Sequence, residues 1–294
     1  MRTISRREFI SVAATGSVTS LRPSSRLVRA RAEITAQEIV DRIRAKIGIP
    51  WKSETVDTFK AGDPAAVVKG IVTTSMATMD VLKQAVKGGA NLVITCEPTF
   101  YSRSDNAAPA AADPIFRAKN EFIRTNGLVI WRFSEHWRGR KPDPFAIGLT
   151  DALGWTKHRT AADPRRVRIS PARLDTLASD LKKRLKARGG IRVVGNPELK
   201  VENIALLTGT SPIQAALEIL PAVDAIIAGE VREWESVEYA RDKVAGGEKK
   251  ALILLGRVVS EDPGMNVCAQ WLRSIVPEVA TAWIPVGDPY WRPA

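Results

Sequence analysis

Apolar residues along this chain come in short blocks that alternate with stretches of helical periodicity, starting near residue 34. "TAQEIVDRIRAKIG" carries its apolar residues at helical spacing, with Thr35 as cap and Gly48 as stop. "VVKGIVTTS" (67–75) predicts a strand, "TMDVLKQAVKGG" a helix ending at Gly88-Gly89, and "NLVIT" a second strand. A helix over 113–125 leads through Asn126-Gly127 to a third strand, "LVIWRF". From Trp155 to about Leu199 the pattern changes. "KHRTAADPRRVRISP" is basic and turn-rich, and "ARLDTLASDLKKRLKARGG" is one amphipathic helix whose Lys and Arg form a solvated face. The alternation then resumes with "NIALLTG", "VDAIIAGE" and "KALILLG" as strands, separated by "SPIQAALEIL" and "WESVEYARDKVAGG" as helices. "GMNVCAQWLRSIVP" predicts a last helix and "ATAWIPV" an edge or final strand. Strands alternating with helices at this spacing predict an α/β fold of two halves with mostly parallel sheets. The halves fall at 33–155 and 201–294, joined by a variable basic linker and helix at 156–200.

In such sheets ligands collect beyond the carboxyl ends of the strands, where the strand-to-helix loops converge. "NLVIT" ends in Cys96-Glu97, and "LVIWRF" in Ser134-Glu135-His136 with Asp143 close behind. "VDAIIAG" ends in Glu230, followed by Glu233 and Glu235, and "KALILLG" ends at Arg257, then Ser260-Glu261. Carboxylates crowded at one edge repel each other, more so when desolvated, and need a cation or a shared proton. A divalent metal would satisfy them, with His136 and a Cys96 thiolate as softer ligands. Each residue alone also has a plainer reading. A Glu after a strand suits a helix N-terminus, a Cys is often a small buried hydrophobe, and a lone His is often structural.

Composition narrows the classes. No run of eighteen apolar residues occurs, so a membrane-spanning helix is not predicted. The net charge is +12, but residues 1–32 carry seven Arg against one Glu, so half of the excess sits there. That segment has Arg6-Arg7, Phe9, a weakly apolar run and Ala30-Arg31-Ala32. It resembles a twin-arginine export signal, which implies a periplasmic or extracellular protein. The remaining Lys and Arg are not clustered among aromatics, so nucleic acid is not an expected partner. Two cysteines, Cys96 and Cys268, do not make a disulfide scaffold in a chain of this size. "WIPVGDPYWRP" at the C-terminus reads as a strand closing the sheet rather than as an interface.

Three segments in order, "ANLVITCEPTFY", "IIAGEVREWESVEYARD" and "LILLGRVVSEDPGM", resemble the signature segments of the Nif-three-like family. That family is also called dinuclear metal centre hexameric protein, or GTP cyclohydrolase I type 2-like. The likeness spans most of residues 35–290 and is greatest to an exported branch. It implies two α/β halves, two divalent metals in the cleft between them, and a homo-oligomer. The family's ligand positions fall on Cys96 with Glu97, on His136 and Asp143, and on Arg257 and Glu261, with Glu230 lining the same cleft. Where relatives carry His, this chain has Cys96 and Arg257, and also Ser134 and Arg138. Cys can replace His on zinc, but a guanidinium has no lone pair to offer. The resemblance therefore implies one divalent ion (zinc, manganese or iron) or none, rather than two. Glu97, His136, Glu230 and Glu261 would hold it, Cys96 could add a thiolate, Glu233 would act as general base, and Arg257 would bind an anionic group of the substrate. That describes a metal-dependent hydrolase of a phosphorylated or nucleotide-like substrate. The alternatives are a metal-handling protein without turnover, and a non-catalytic binding or scaffold protein in which Arg–Glu pairs replace the metal.

Overall fold

The computed structural model describes residues 33–106 and 111–293, so the segment that resembles an export signal lies outside the described residues. The chain runs α1 (Ala36–Lys46), β1 (Phe59–Ala61), β2 (Ile71–Thr74), α2 (Met79–Lys87), β3 (Leu92–Thr95), α3 (Pro114–Thr125), β4 (Val129–Arg132), α4 (Glu135–Gly139) and α5 (Pro144–Ala152). It continues through β5 (Arg166–Arg173), α6 (Leu174–Arg184), β6 (Arg192–Val194), β7 (Lys200–Thr210), α7 (Ile213–Ile219), β8 (Ala225–Glu230), α8 (Glu238–Ala245), β9 (Ala251–Leu254), α9 (Arg257–Ile275) and β10 (Thr281–Trp283). Two five-stranded sheets result, ordered β1-β4-β3-β2-β10 and β5-β7-β8-β9-β6. The inner pairings are parallel, Ile71 opposite Leu92 and Leu92 opposite Val129 in the first sheet, Ile204 opposite Ala225 and Ala225 opposite Ala251 in the second.

The inner strands are continuous apolar runs because both faces are covered. Successive side chains point to opposite faces. In the first sheet Ile71, Leu92, Ile94 and Trp131 pack with α1 and the far end of α9. Val72, Val93 and Ile130 face α2 and α3 on the other side. In the second sheet Ile204, Leu206, Ile227 and Ile253 meet α5 and α6, while Ile226 and Leu252 meet α7 and α8. Two helices serve both cores. Phe145 of α5 and Met265, Cys268 and Leu272 of α9 enter the first, and Leu149 and Val259 enter the second. These helices cross at glycine: a Cβ on Gly148 would collide with the backbone of Pro263, and one on Gly264 with Phe145.

Segment 156–200 does more than link the halves. It supplies both outer strands of the second sheet, β5 antiparallel to β7 and β6 antiparallel to β9, and buries Leu174, Leu177 and Leu181 of α6 in that core. In return β10, from the C-terminal half, pairs in parallel with β2 at the edge of the first sheet, as expected for "ATAWIPV", whereas residues 284–293, read as a closing strand, form none. Helix α9 begins at Arg257, seven residues before the predicted start, so Ser260, Glu261 and Asp262 lie on its buried first turns.

Candidate functional site

The cleft opens beyond the carboxyl ends of β3, β4, β8 and β9. Strand β3 stops at Thr95, and Thr95 Oγ1 donates to the Ser75 and Glu97 carbonyls, which seats Cys96 and Glu97 at the sheet edge. Gly256, at φ +88°, turns the chain out of β9 into α9, a conformation that favours glycine. The turn places Arg257 at the helix start and Glu261 one turn on. Helix α4 carries Arg138 across from β4.

Two buried carboxylates and two guanidinium groups meet there. Arg138 Nη2 lies 2.7 Å from Glu97 Oε1 and 2.6 Å from Glu261 Oε1. Arg257 Nη2 lies 2.7 Å from Glu97 Oε2, and its Nε is 3.8 Å from Glu261 Oε2. The Cys96 thiol faces that last oxygen at 4.0 Å. The Glu97 and Glu261 side chains are 4% and 0% exposed, against 31% and 35% for Arg138 and Arg257. Space for Glu261 is made by Gly209, where a Cβ would occupy the position of its Oε1. Burial pushes the Glu261 carboxyl up to about 7; Arg138 opposes the rise and Glu97 adds to it. Burial, followed by the charge of Glu261, pushes the Cys96 thiol well above its ordinary range, so it is a protonated thiol rather than a thiolate.

The other expected residues lie elsewhere, each for a local reason. His136 is buried with both ring nitrogens engaged. Asp57, which already accepts from the N–H groups of Ser134, Glu135 and His136, also accepts a hydrogen bond from the ring Nδ1–H at 2.7 Å. Nε2 therefore holds the lone pair, and it accepts the Lys52 N–H at 2.9 Å. Trp51 stacks on the ring at 3.7 Å. No lone pair remains for a metal, which corrects the expectation of a ligand. Asp143 caps α5, accepting from Phe145 N and Ala146 N. Glu233 sits on the surface in a pair with Arg192 at 2.8 Å, so it is not the base of this cleft. Glu230 stands on the rim, 3.5 Å from Arg257 and bonded to Thr210 Oγ1. By sequence Arg138 is only a departure from relatives, yet it joins the two buried carboxylates. Its one sequence signal is position, on the first turn after a strand end.

Cys96, Glu97 and Glu261 are the one group among the described residues that brings ligand atoms within 4.8 Å of one another. The donor set does not fit a dinuclear centre, nor the single-ion set of Glu97, His136, Glu230 and Glu261, because both His136 ring nitrogens are engaged and Glu230 stands on the rim. Three of the four carboxylate oxygens lie within 2.7 Å of guanidinium nitrogens and the fourth 3.8 Å from one, and the histidine is committed elsewhere. Positive charge is present, but as two fixed cations without lone pairs.

Residues 34–287 match the family model described as Duf34/NIF3 (NGG1p interacting factor 3). The chain belongs to this family. Among solved structures, a Bacillus cereus protein related to NIF3 superposes with a TM-score of 0.69 at 14% identity, covering 89% of this chain and 99% of that one. Staphylococcus aureus hypothetical protein SA1388 gives 0.66 at 14% identity, over 89% and 100% of the two chains. Protein ybgI, described as of unknown function, gives 0.62 at 20% identity, over 87% and 100%. At these identities the likeness to the three structures establishes the fold and leaves the chemistry to the residues. No curated protein matches the chain. No helix among the described residues is long and apolar enough to cross a membrane.

Proposed function

We propose that this Duf34/NIF3 protein is a metal-independent binding protein that takes a small anionic molecule in the cleft beside Glu97 and Arg138. One observation carries the reading: Arg138 and Arg257 supply, as permanent charges, the neutralisation that two buried carboxylates would otherwise require of a metal. The cleft measures about 930 Å³, within the range of small-molecule sites. Five cationic side chains line it, Arg103, Lys119, Arg132, Arg138 and Arg257, against two carboxylates, Glu97 and Glu135. Arg138 and Arg257 are offset by Glu97 and the buried Glu261, and Arg132 by Asp105, so Arg103 and Lys119 stand against Glu135 and the balance favours an anion. A metal-dependent hydrolase would need open carboxylate lone pairs and a free base, and Glu233 is too far out on the surface to be that base.

The test is elemental analysis after incubation with zinc or manganese and desalting, paired with thermal melts in the presence of organic anions. Strongly substoichiometric metal together with anion stabilisation is the expected result. Stoichiometric metal that is lost in Cys96→Ser and Glu261→Gln would overturn the reading in favour of a metal centre. Arg138→His with Arg257→His should raise metal content, because it exchanges fixed cations for lone-pair donors at the sheet edge.

The homo-oligomer implied by the resemblance belongs to the same proposal. Trp234, Tyr290 and Trp291, each at least 70% exposed, are the exposed aromatic residues that support it, and light scattering on the purified protein tests it. Export through the segment at residues 1–32 is likewise proposed and is testable by cell fractionation.

A further inference from the structure

Resting on the anion-binding reading, we infer that the end of the cleft formed by Lys119, Arg132, Thr99 and Arg103 is a subsite for the phosphate group of a phosphate monoester. The cluster is separate from the Arg–Glu network and is built from the loop after β3, helix α3 and the end of β4. Its charges do not balance. Arg132 Nη1 lies 3.0 Å from Asp105 Oδ2, with side chains 7% and 2% exposed. Lys60 reaches the same oxygen at 3.7 Å and also feels Asp57. Lys119 is 4% exposed and donates to the Thr99 carbonyl at 2.6 Å, with only Asp105 as a charge partner. With Lys60 set against Asp57, the cations Arg103, Lys119 and Arg132 face one carboxylate, Asp105. That leaves an excess of about two positive charges, and a phosphate monoester carries about −1.5 to −2 at neutral pH.

Hydrogen bonding points the same way. Thr99 Oγ1 and Arg132 Nε are buried without partners, and both residues line the cleft. Buried polar atoms are rarely left unpaired, and two donors beside excess charge call for an acceptor-rich group. Lys119 spends one of its three donors on Thr99, which leaves two. Residues 99–105 of the loop are tied down around this arrangement. Asp105 Oδ1 accepts from Thr99 N and Phe100 N, and Tyr101 and Asp105 both adopt φ near +60°, a conformation uncommon outside glycine. Lys119 Nζ also sits 5.2 Å over the Tyr101 ring, which leaves that exposed ring at the mouth of the subsite to meet the body of the ligand.

The experiment is calorimetric titration of the full chain with inorganic phosphate and ribose 5-phosphate, with ribose, acetate and succinate as comparisons. The variants are Lys119→Met, Thr99→Val and Arg103→Ala. Thr99→Val keeps the backbone carbonyl and the side-chain shape, and Arg103 is exposed, so both variants fold. Saturable binding of ribose 5-phosphate but not ribose is expected, weakened about tenfold or more by Lys119→Met and about threefold or more by Thr99→Val. Binding that ignores these substitutions yet falls in Arg257→Ala would overturn the subsite and leave the anion-binding reading standing. Binding of succinate but not of ribose 5-phosphate would overturn the phosphate assignment alone. Heat from no anion would overturn both the subsite and the reading on which it rests.

Discussion

Removing Arg138 is the sharpest probe of the site, because one guanidinium bridges two carboxylates that the fold has taken out of water. In Arg138→Met the chain keeps a side chain long enough to cover Phe145, over whose ring the guanidinium now lies at 4.6 Å. Glu97 retains Arg257, whereas Glu261 retains only the Arg257 Nε at 3.8 Å and the Cys96 thiol. Breaking a buried ion pair by deleting one partner costs about 3–5 kcal/mol, a large share of the roughly 5–15 kcal/mol by which a domain is stable. The pH dependence identifies the cause. Glu261 titrates at about 7 in the folded protein against 4.5 for the ordinary side chain. A carboxyl whose folded value is raised contributes stability that is fully present below 4.5 and lost as pH rises through 7, amounting to about 3 kcal/mol. Deleting Arg138 raises the folded value further, so the variant should suffer most at pH 8, where Glu261 would have to be charged, and less at pH 5.5. Glu261→Gln in the Arg138→Met background should recover most of the loss at pH 8. Urea unfolding followed by both circular dichroism and the fluorescence of the eight tryptophans measures each quantity. A cost below about 1 kcal/mol at pH 8, or one equal at the two pH values, would refute the claim that Arg138 neutralises a buried charge.

Three further outcomes follow from the packing and the buried charges. Gly148→Ala should destabilise the protein by about 1–3 kcal/mol or more, read as a lower unfolding midpoint, because the methyl group would overlap the Pro263 backbone where α5 crosses α9. His136→Ala should cost about 2–4 kcal/mol by stranding the Lys52 N–H and emptying the space against Trp51, while anion affinity in calorimetry stays within twofold. Burial lowers the Lys119 ammonium to about 8 from 10.5, so the folded state gives up its proton first and stability gains up to about 3 kcal/mol as pH rises from 8 toward 10.5. Lys119→Met should remove that rise from the difference in unfolding free energy between the two proteins, and a parallel pH profile would contradict it.

How far the sequence could be read depended on whether the deciding contacts were local. Strands β2, β3 and β4 stood out because burial on both faces leaves no polar residue to interrupt the run. Strand β5 did not, because an outer strand alternates apolar Val167 and Ile169 with exposed Arg168 and carries other charged residues, which resembles a basic turn until β7 is laid beside it. Glu97 and Glu261 were legible at the site because each follows a strand end by a fixed few residues, and chain direction takes them to the same edge. Strand-end counting says nothing of where a side chain turns afterwards. His136 turns inward because Asp57, 79 residues earlier, waits there with three backbone N–H groups already bound, and no local pattern marks that meeting. The role of Arg138 is hidden in the same way, since its partners lie 41 and 123 residues away. Its charge nevertheless follows from theirs. Once the fold buries Glu97 and Glu261 side by side, something cationic must stand between them, and the guanidinium groups of Arg138 and Arg257, brought there from distant parts of the sequence, stand in that place.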